Sequence, residues 1–363
     1  MSSLSVLKTT TRAALFGTTA LVVSASGAHA IDYIVSATET STFILGLGTA
    51  DTLAINGSGE ITTVSPGVAV IDLADSITIQ STGVTAEIDA DAVGIEVQGA
   101  TADLTGGITI ASGAIVTATT TGGTSGTGIL VHTSADISGG IDNSGAITGY
   151  EVGVGVGTNA SVSGGIVNSG SIFGNNGAIV IGSAPTDSST MGAITNNGSG
   201  VIGVNADNDD VSDQGIFVGG SGSDITGLIT NSATATIVGR TAAIFVLSGA
   251  DISGGITNAG MIGQATTTAT TITANIGIAV TAGGDISGTI TNSGTIIGDT
   301  AAIGTSAGSI TGGIVNTGNI TAGTDADDAA ITVSAGTLGS TANIGIANQT
   351  GGVISGNVAI DIS

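Results

Sequence analysis

The chain has 363 residues, of which 63 are glycine, 27 are acidic and three are basic, with no cysteine, no tryptophan and a formal charge of -24. Charged residues make up only 8% while apolar residues keep 41%, a hydrophobicity that excludes an acidic disordered tail, and the glycines follow no three-residue period, which excludes collagen. Without cysteine no disulfide can compensate for a thin core, so the chain must fold by burial or by repetition.

The first thirty residues read as an export signal. Lys8 and Arg12 form its positive segment, Ala13 to Ala25 is apolar and small, and Ala28-His29-Ala30 fits a small-x-small cleavage site. The stretch is too short and too rich in Thr and Ser to span a bilayer, and nothing later reaches the 18 or so consecutive apolar residues of a membrane helix. Removing it leaves Arg240, His132 and all 27 acids, with no lysine. Residues 31–53 read as a lead-in or cap, and residues 54–363 as one repeat domain.

Two phrases recur through that domain. The phrase I-x-G-x-I-x-N runs from Ile137 to Asn143, Val162 to Asn168, Ile225 to Asn231, Ile252 to Asn258, Ile286 to Asn292 and Ile310 to Asn316, with less complete copies at Asn196 and Asn348. An apolar-x-apolar pair occurs eleven times, from Val68/Val70 through Ile244/Val246 to Ile360/Ile362. Periods of 20 to 50 residues are the mark of solenoids. Within each repeat, apolar residues alternate with small or polar ones over three to five positions and then break at Gly, Asn or Ser, as half-buried strands do. The pattern predicts an all-β, right-handed parallel β-helix of about eleven coils with three short strands per coil, a rod of roughly 50 Å at about 4.8 Å per coil.

The repeats also nominate residues. Asn143, Asn168, Asn196, Asn231, Asn258, Asn292, Asn316 and Asn348 should stack as a structural ladder, each amide bonding to the next coil. Glycine pairs such as Gly139-Gly140 and Gly254-Gly255 suit bends that need positive φ or close backbone approach. Four repeats carry extra residues at one bend, Thr117 to Thr127, Gly203 to Gln214, Gln264 to Asn275 and Thr321 to Asp328, and insertions at one bend of a solenoid emerge along one edge. The second insert holds Asp207, Asp209, Asp210 and Asp213, and the fourth holds Asp325, Asp327 and Asp328. Such carboxylates are calcium candidates, or solvated acidic loops, and no other cofactor is expected. On the outside of three consecutive coils the strand alternation places Val180, Phe217 and Phe245 side by side, as an interaction patch or as a surface covered by the second insert.

Catalytic chemistry is hard to assemble from this composition. The one histidine after the signal, His132, follows a strand with no acid pair or reactive serine motif beside it in the chain. No zinc spacing, P-loop or G-x-S-x-G is found. Nucleic acid is opposed by the charge.

The signal, the cysteine-free chain and phrases such as Asp251-Ile-Ser-Gly-Gly-Ile-Thr-Asn258 and Asp285-Ile-Ser-Gly-Thr-Ile-Thr-Asn-Ser-Gly-Thr-Ile-Ile297 resemble the passenger domains of bacterial autotransporters. The resemblance covers roughly residues 54–363. It implies a β-helix displayed at the bacterial surface or released from it, often an adhesin, exported through an outer-membrane barrel that the same chain supplies. No such barrel pattern occurs up to Ser363. The chain is therefore expected to be a passenger fragment, with a solenoid that stacks end to end as the other reading. The expected function is a structural or adhesive rod, without enzymatic activity, that meets a surface receptor, matrix, glycan or second copy. The alternative is a secreted carbohydrate-active β-helix using paired Asp carboxylates.

Overall fold

The computed structural model describes residues 32–45, 51–63, 66–70, 73–80, 85–119, 126–204, 213–266, 271–340 and 345–363. The expected export signal lies outside them. Among the described residues there is no helix, and the strands stack into three parallel sheets of twelve strands each. Every coil contributes one strand to each sheet in turn, which makes the fold a right-handed parallel β-helix with three short strands per coil.

One coil shows how the sequence builds the rest. Ile256–Asn258 lies in the first sheet, Met261–Ile262 in the second and Ile276–Thr281 in the third. Ile256, Asn258, Ile262, Ile278 and Val280 point inward and are fully buried, while Thr257 between them faces out. The next coil repeats this residue for residue, with Ile256 opposite Ile290, Thr257 opposite Thr291 and Asn258 opposite Asn292. Each inward residue therefore sits on its own kind, so that one residue type fills a column many coils long.

The bends need glycine for two separate reasons. In the pairs that precede the Ile-x-Asn strands the second residue has positive φ, as at Gly140 (79°) and Gly255 (82°), where a side chain would be strained. The first has no room: a Cβ on Gly139 would stand 2.2 Å from the backbone nitrogen of Gly107 in the coil before.

The coil count is twelve, one more than the copies of the apolar pair. The additional coil comes from residues 32–45, read from the sequence as a lead-in. Asp32–Val35 pairs in register with Thr52 to Ile55, and Phe43–Leu45 with Val68 to Val70. The segment lacks the I-x-N phrase, and an aromatic, Phe43, opens its apolar pair where later coils carry a small aliphatic. The Tyr33 and Phe43 rings meet edge to face at 6.2 Å, at the outer end of the stack.

All four inserts leave the second sheet and return to the third, as expected. The flanking strands are Ile115–Ala118 and Thr127–His132, Val201–Gly203 and Gln214–Val218, Met261–Ile262 and Ile276–Thr281, and Asn319–Thr321 and Ala329–Ser334. The third insert contains a small antiparallel hairpin of Gln264–Thr266 with Thr271–Thr273. Residues 120–125, 205–212 and 267–270 are outside the described set.

Because Ile256 and Ile290 are sealed in the core and Thr257 and Thr291 are not, truncation should separate the two sets. Ile256→Ala is expected to cost about 2–5 kcal/mol and Thr257→Ala under about 0.5 kcal/mol, read from chemical unfolding. Equal losses would place the strand in the opposite register.

Candidate functional site

The asparagine column is a continuous hydrogen-bonded chain. Asn143 donates through Nδ2 to Oδ1 of Asn168 at 2.7 Å, and the same bond repeats through Asn196, Asn231, Asn258, Asn292 and Asn316 to Asn348 at 2.8–3.0 Å. Each donor amide also reaches a backbone carbonyl at the bend of the next coil, such as Ser171 from Asn143 and Met261 from Asn231. The column is fully buried from Asn143 to Asn316, so it offers nothing to a ligand and acts as scaffold.

Its start is abrupt. The same column holds Val35, Ile55, Ile79 and Ile110 in the earlier coils, and Ile110 lies opposite Asn143. Oδ1 of Asn143 consequently has no partner.

A second inter-coil device was present in the quoted phrases but given no role. The Asp of Asp-Ile-Ser accepts hydrogen bonds from the coil that follows. Asp136 accepts from the backbone N–H of Ser163 at 3.0 Å and from its hydroxyl at 2.6 Å. Asp224 binds Ser253 in the same way, Asp251 binds Ser287, and Asp285 binds the N–H and hydroxyl of Thr311, at 2.7–3.1 Å. Where the phrase is Asp-Ile-Ser, as at Asp251 and Asp285, its Asp and Ser belong to two successive clamps, whereas Asp224 begins Asp-Ile-Thr and Thr226 donates to the Met191 carbonyl. The clamp residues pair in register as a short extension of the first sheet, with Asp224 bridged to Asp251 and Asp251 to Asp285.

Three carboxylates in consecutive coils repel one another. Burial pushes the Asp251 carboxyl above the usual carboxylate range, the two hydrogen bonds from Ser287 pull it down, and the charges of Asp224 and Asp285 add to the rise.

Val180, Phe217 and Phe245 stand in line as read, while the insert that would cover them lies, at residues 205–212, outside the described residues. Val180, Phe217 and Phe245 lie opposite one another in consecutive strands of the third sheet, followed by Ala279. The Phe217 and Phe245 rings meet edge to face at 6.0 Å. Phe217 folds over the bend that follows its strand, where a Cβ on Gly219 would stand 2.6 Å from its ring. All three side chains are half-buried. The equivalent outward column on the first sheet reads Val167, Thr195, Thr230, Thr257 and Thr291, so the apolar surface belongs to the third sheet.

Only part of the acidic candidates falls on described residues. Asp207, Asp209 and Asp210 lie outside the described residues. Asp213 is fully buried, and its Oδ2 stands 3.5 Å from Nε of Arg240. In the fourth insert, Asp328 is mostly buried and accepts the backbone N–H of Asp325 at 2.7 Å, which closes the turn. Among the described residues no three His, Cys, Asp or Glu side chains stand close enough to hold a metal.

His132 gains a partner that its sequence neighbours do not supply. No acid stands beside it in the sequence, yet stacking brings Glu96 from the coil before, with Oε1 2.9 Å from Nε2. Thr133 Oγ1 lies 2.9 Å from Nδ1. The imidazole is satisfied on both sides on the outer face of the third sheet, through a partner 36 residues away.

The chain matches no family model, no curated protein and no solved structure. Among the described residues no helix is long and apolar enough to cross a membrane, which says nothing of β-barrels.

Two outcomes follow for the scaffold devices. Asn231→Ala leaves Oδ1 of Asn258 without its donor and takes one of three acceptors from Nδ2 of Asn196, whereas Asn143→Ala leaves only Oδ1 of Asn168 without its donor and removes an Oδ1 that has no partner. At about 1–3 kcal/mol per buried group left unpaired, Asn231→Ala should be the more destabilising by chemical unfolding. For Asp251 the folded-state pKa is raised, so its contribution to stability is fully present below the unfolded value near about 3.9 and is lost as pH rises through the folded value. Asp251→Asn retains an acceptor for Ser287 and should flatten that fall in an unfolding-midpoint series from about pH 3 to pH 7; an unchanged slope would contradict the clamp's electrostatics.

Proposed function

We propose that this protein is an exported, surface-displayed β-helical rod of the autotransporter passenger type, structural and adhesive in function and not an enzyme. Residues 1–30 direct export, and an outer-membrane barrel carries the rod to the bacterial surface or beyond it. The observation that supports adhesion best is the outward column Val180, Phe217 and Phe245, beside the edge from which all four inserts emerge. Aromatic side chains on a rigid frame are what an adhesive contact uses, since a few such anchors dominate interface energies. A coil-to-coil stack also suits an export route in which the chain arrives unfolded, because each new coil finds its template in the one already formed.

The test displays the protein on a non-adherent bacterium. Shortening Gly203 to Gln214 to the length of the Gly149 to Gly153 connection should preserve the β-structure by circular dichroism, since longer or shorter loops change closure entropy only slightly. Cell attachment or self-association should fall, and fall further with Phe217→Ser and Phe245→Ser together. Unchanged attachment after both alterations would remove this face from the function.

A further inference from the structure

From Val180 to Ala279 the outer face of the third sheet is apolar, and the bend beyond Phe217 and Phe245 is acidic. Phe217 and Phe245 lie on consecutive coils, and Phe217 leans over Gly219 toward the bend that leads back to the first sheet. The chain crosses that bend and reaches Asp224 in the Phe217 coil, Asp251 in the Phe245 coil and Asp285 in the next, bridged in register. Two rows therefore run parallel to the rod axis, one aromatic and one anionic, each advancing one residue per coil.

The rod has little with which to neutralise the second row. Beyond residue 30 the sequence contains no lysine and one arginine, Arg240, and that side chain stands against Asp213. The clamp hydroxyls of Ser253, Ser287 and Thr311 solvate the three carboxylates without cancelling their charge. Counter-charge has to come from outside the molecule.

From these two rows we infer that the face carrying Phe217 and Phe245 binds a basic amphipathic helix, laid along the rod with its apolar stripe on the rings and its Lys or Arg side chains over Asp224, Asp251 and Asp285. The inference rests on the adhesive reading of the same face and names the chemistry of the partner. Spacing favours a helix running along the axis. Its turns repeat every 5.4 Å against about 4.8 Å per coil, so over three coils the two drift by only about 2 Å and i, i+4 cations stay near successive carboxylates. Cations at the ring edge add attraction to the aromatic faces.

The test uses the full chain and synthetic peptides, with no cells, so its result is separate from the attachment assay. A fluorescent helix of about 14 residues, Leu on one face and Lys on the other, is titrated by anisotropy beside a scrambled peptide of equal composition and an oligolysine of equal charge. The amphipathic peptide should bind at least about tenfold tighter than either control and weaken with added salt. Phe217→Ser with Phe245→Ser should abolish that preference. Asp224→Asn, Asp251→Asn and Asp285→Asn together retain acceptors for the clamps, and should weaken binding and remove most of its salt dependence. Equal affinity for all three peptides, no binding at all, or indifference to both sets of substitutions in variants with wild-type circular dichroism would overturn the inference.

Discussion

Among the described residues, a strand of the three stacked sheets pairs only with the same strand of the neighbouring coil. Backbone N–H and C=O groups that leave water must be paired, and here pairing is possible only if every coil returns to the same register. In-register stacking is thus the constraint from which the other features descend. It requires inward columns of one residue type, here isoleucine and valine for burial and asparagine where a side-chain amide can extend the backbone ladder. It leaves no space at the bends, and glycine stands where a Cβ would strike the coil above. It also brings like charges together, which the Asp-Ile-Ser phrase turns to use by having each carboxylate grip the next coil's N–H and hydroxyl.

The parts of this arrangement that were legible in the sequence are those that recur. The Ile and Asn positions repeat at each coil, so fold class, inward face and ladder could be read without coordinates, as could the corner from which the inserts leave and the alignment of Val180, Phe217 and Phe245. What could not be read depends on which residues meet between coils when they do not match. Glu96 reaches His132 across 36 residues with no motif to connect them. Asp213 and Arg240 meet across a bend for the same reason. The first coil escaped notice because it lacks the I-x-N phrase and Phe43 opens its apolar pair in place of a small aliphatic. The clamps are less regular than the asparagines, since Ser161 and Thr190 take the Asp position in two coils, and the Asp lies in one coil while its donor lies in the next.

The same regularity separates scaffold from function. Where every coil must match its neighbour inside, variation is confined to outward positions and to bends. The first sheet uses that freedom for threonine and the third for aromatics. A flat apolar face flanked by an anionic row is not demanded by stacking, since Ala279 occupies the Phe245 position one coil later with the same backbone pairing. That surplus is what the proposal of an adhesive face on the third sheet rests on.

The stacking account is tested most directly by hydrogen exchange of side-chain amides, followed by NMR in the native protein. If the coils are in register, the Nδ2 protons of Asn168, Asn196, Asn231, Asn258 and Asn292, buried and bonded from coil to coil, exchange at least about a hundredfold more slowly than those of the neighbouring, partly exposed Asn197. Exchange of the ladder amides at the rate of Asn197 would show that the column is open to water and that the coils do not stack as described.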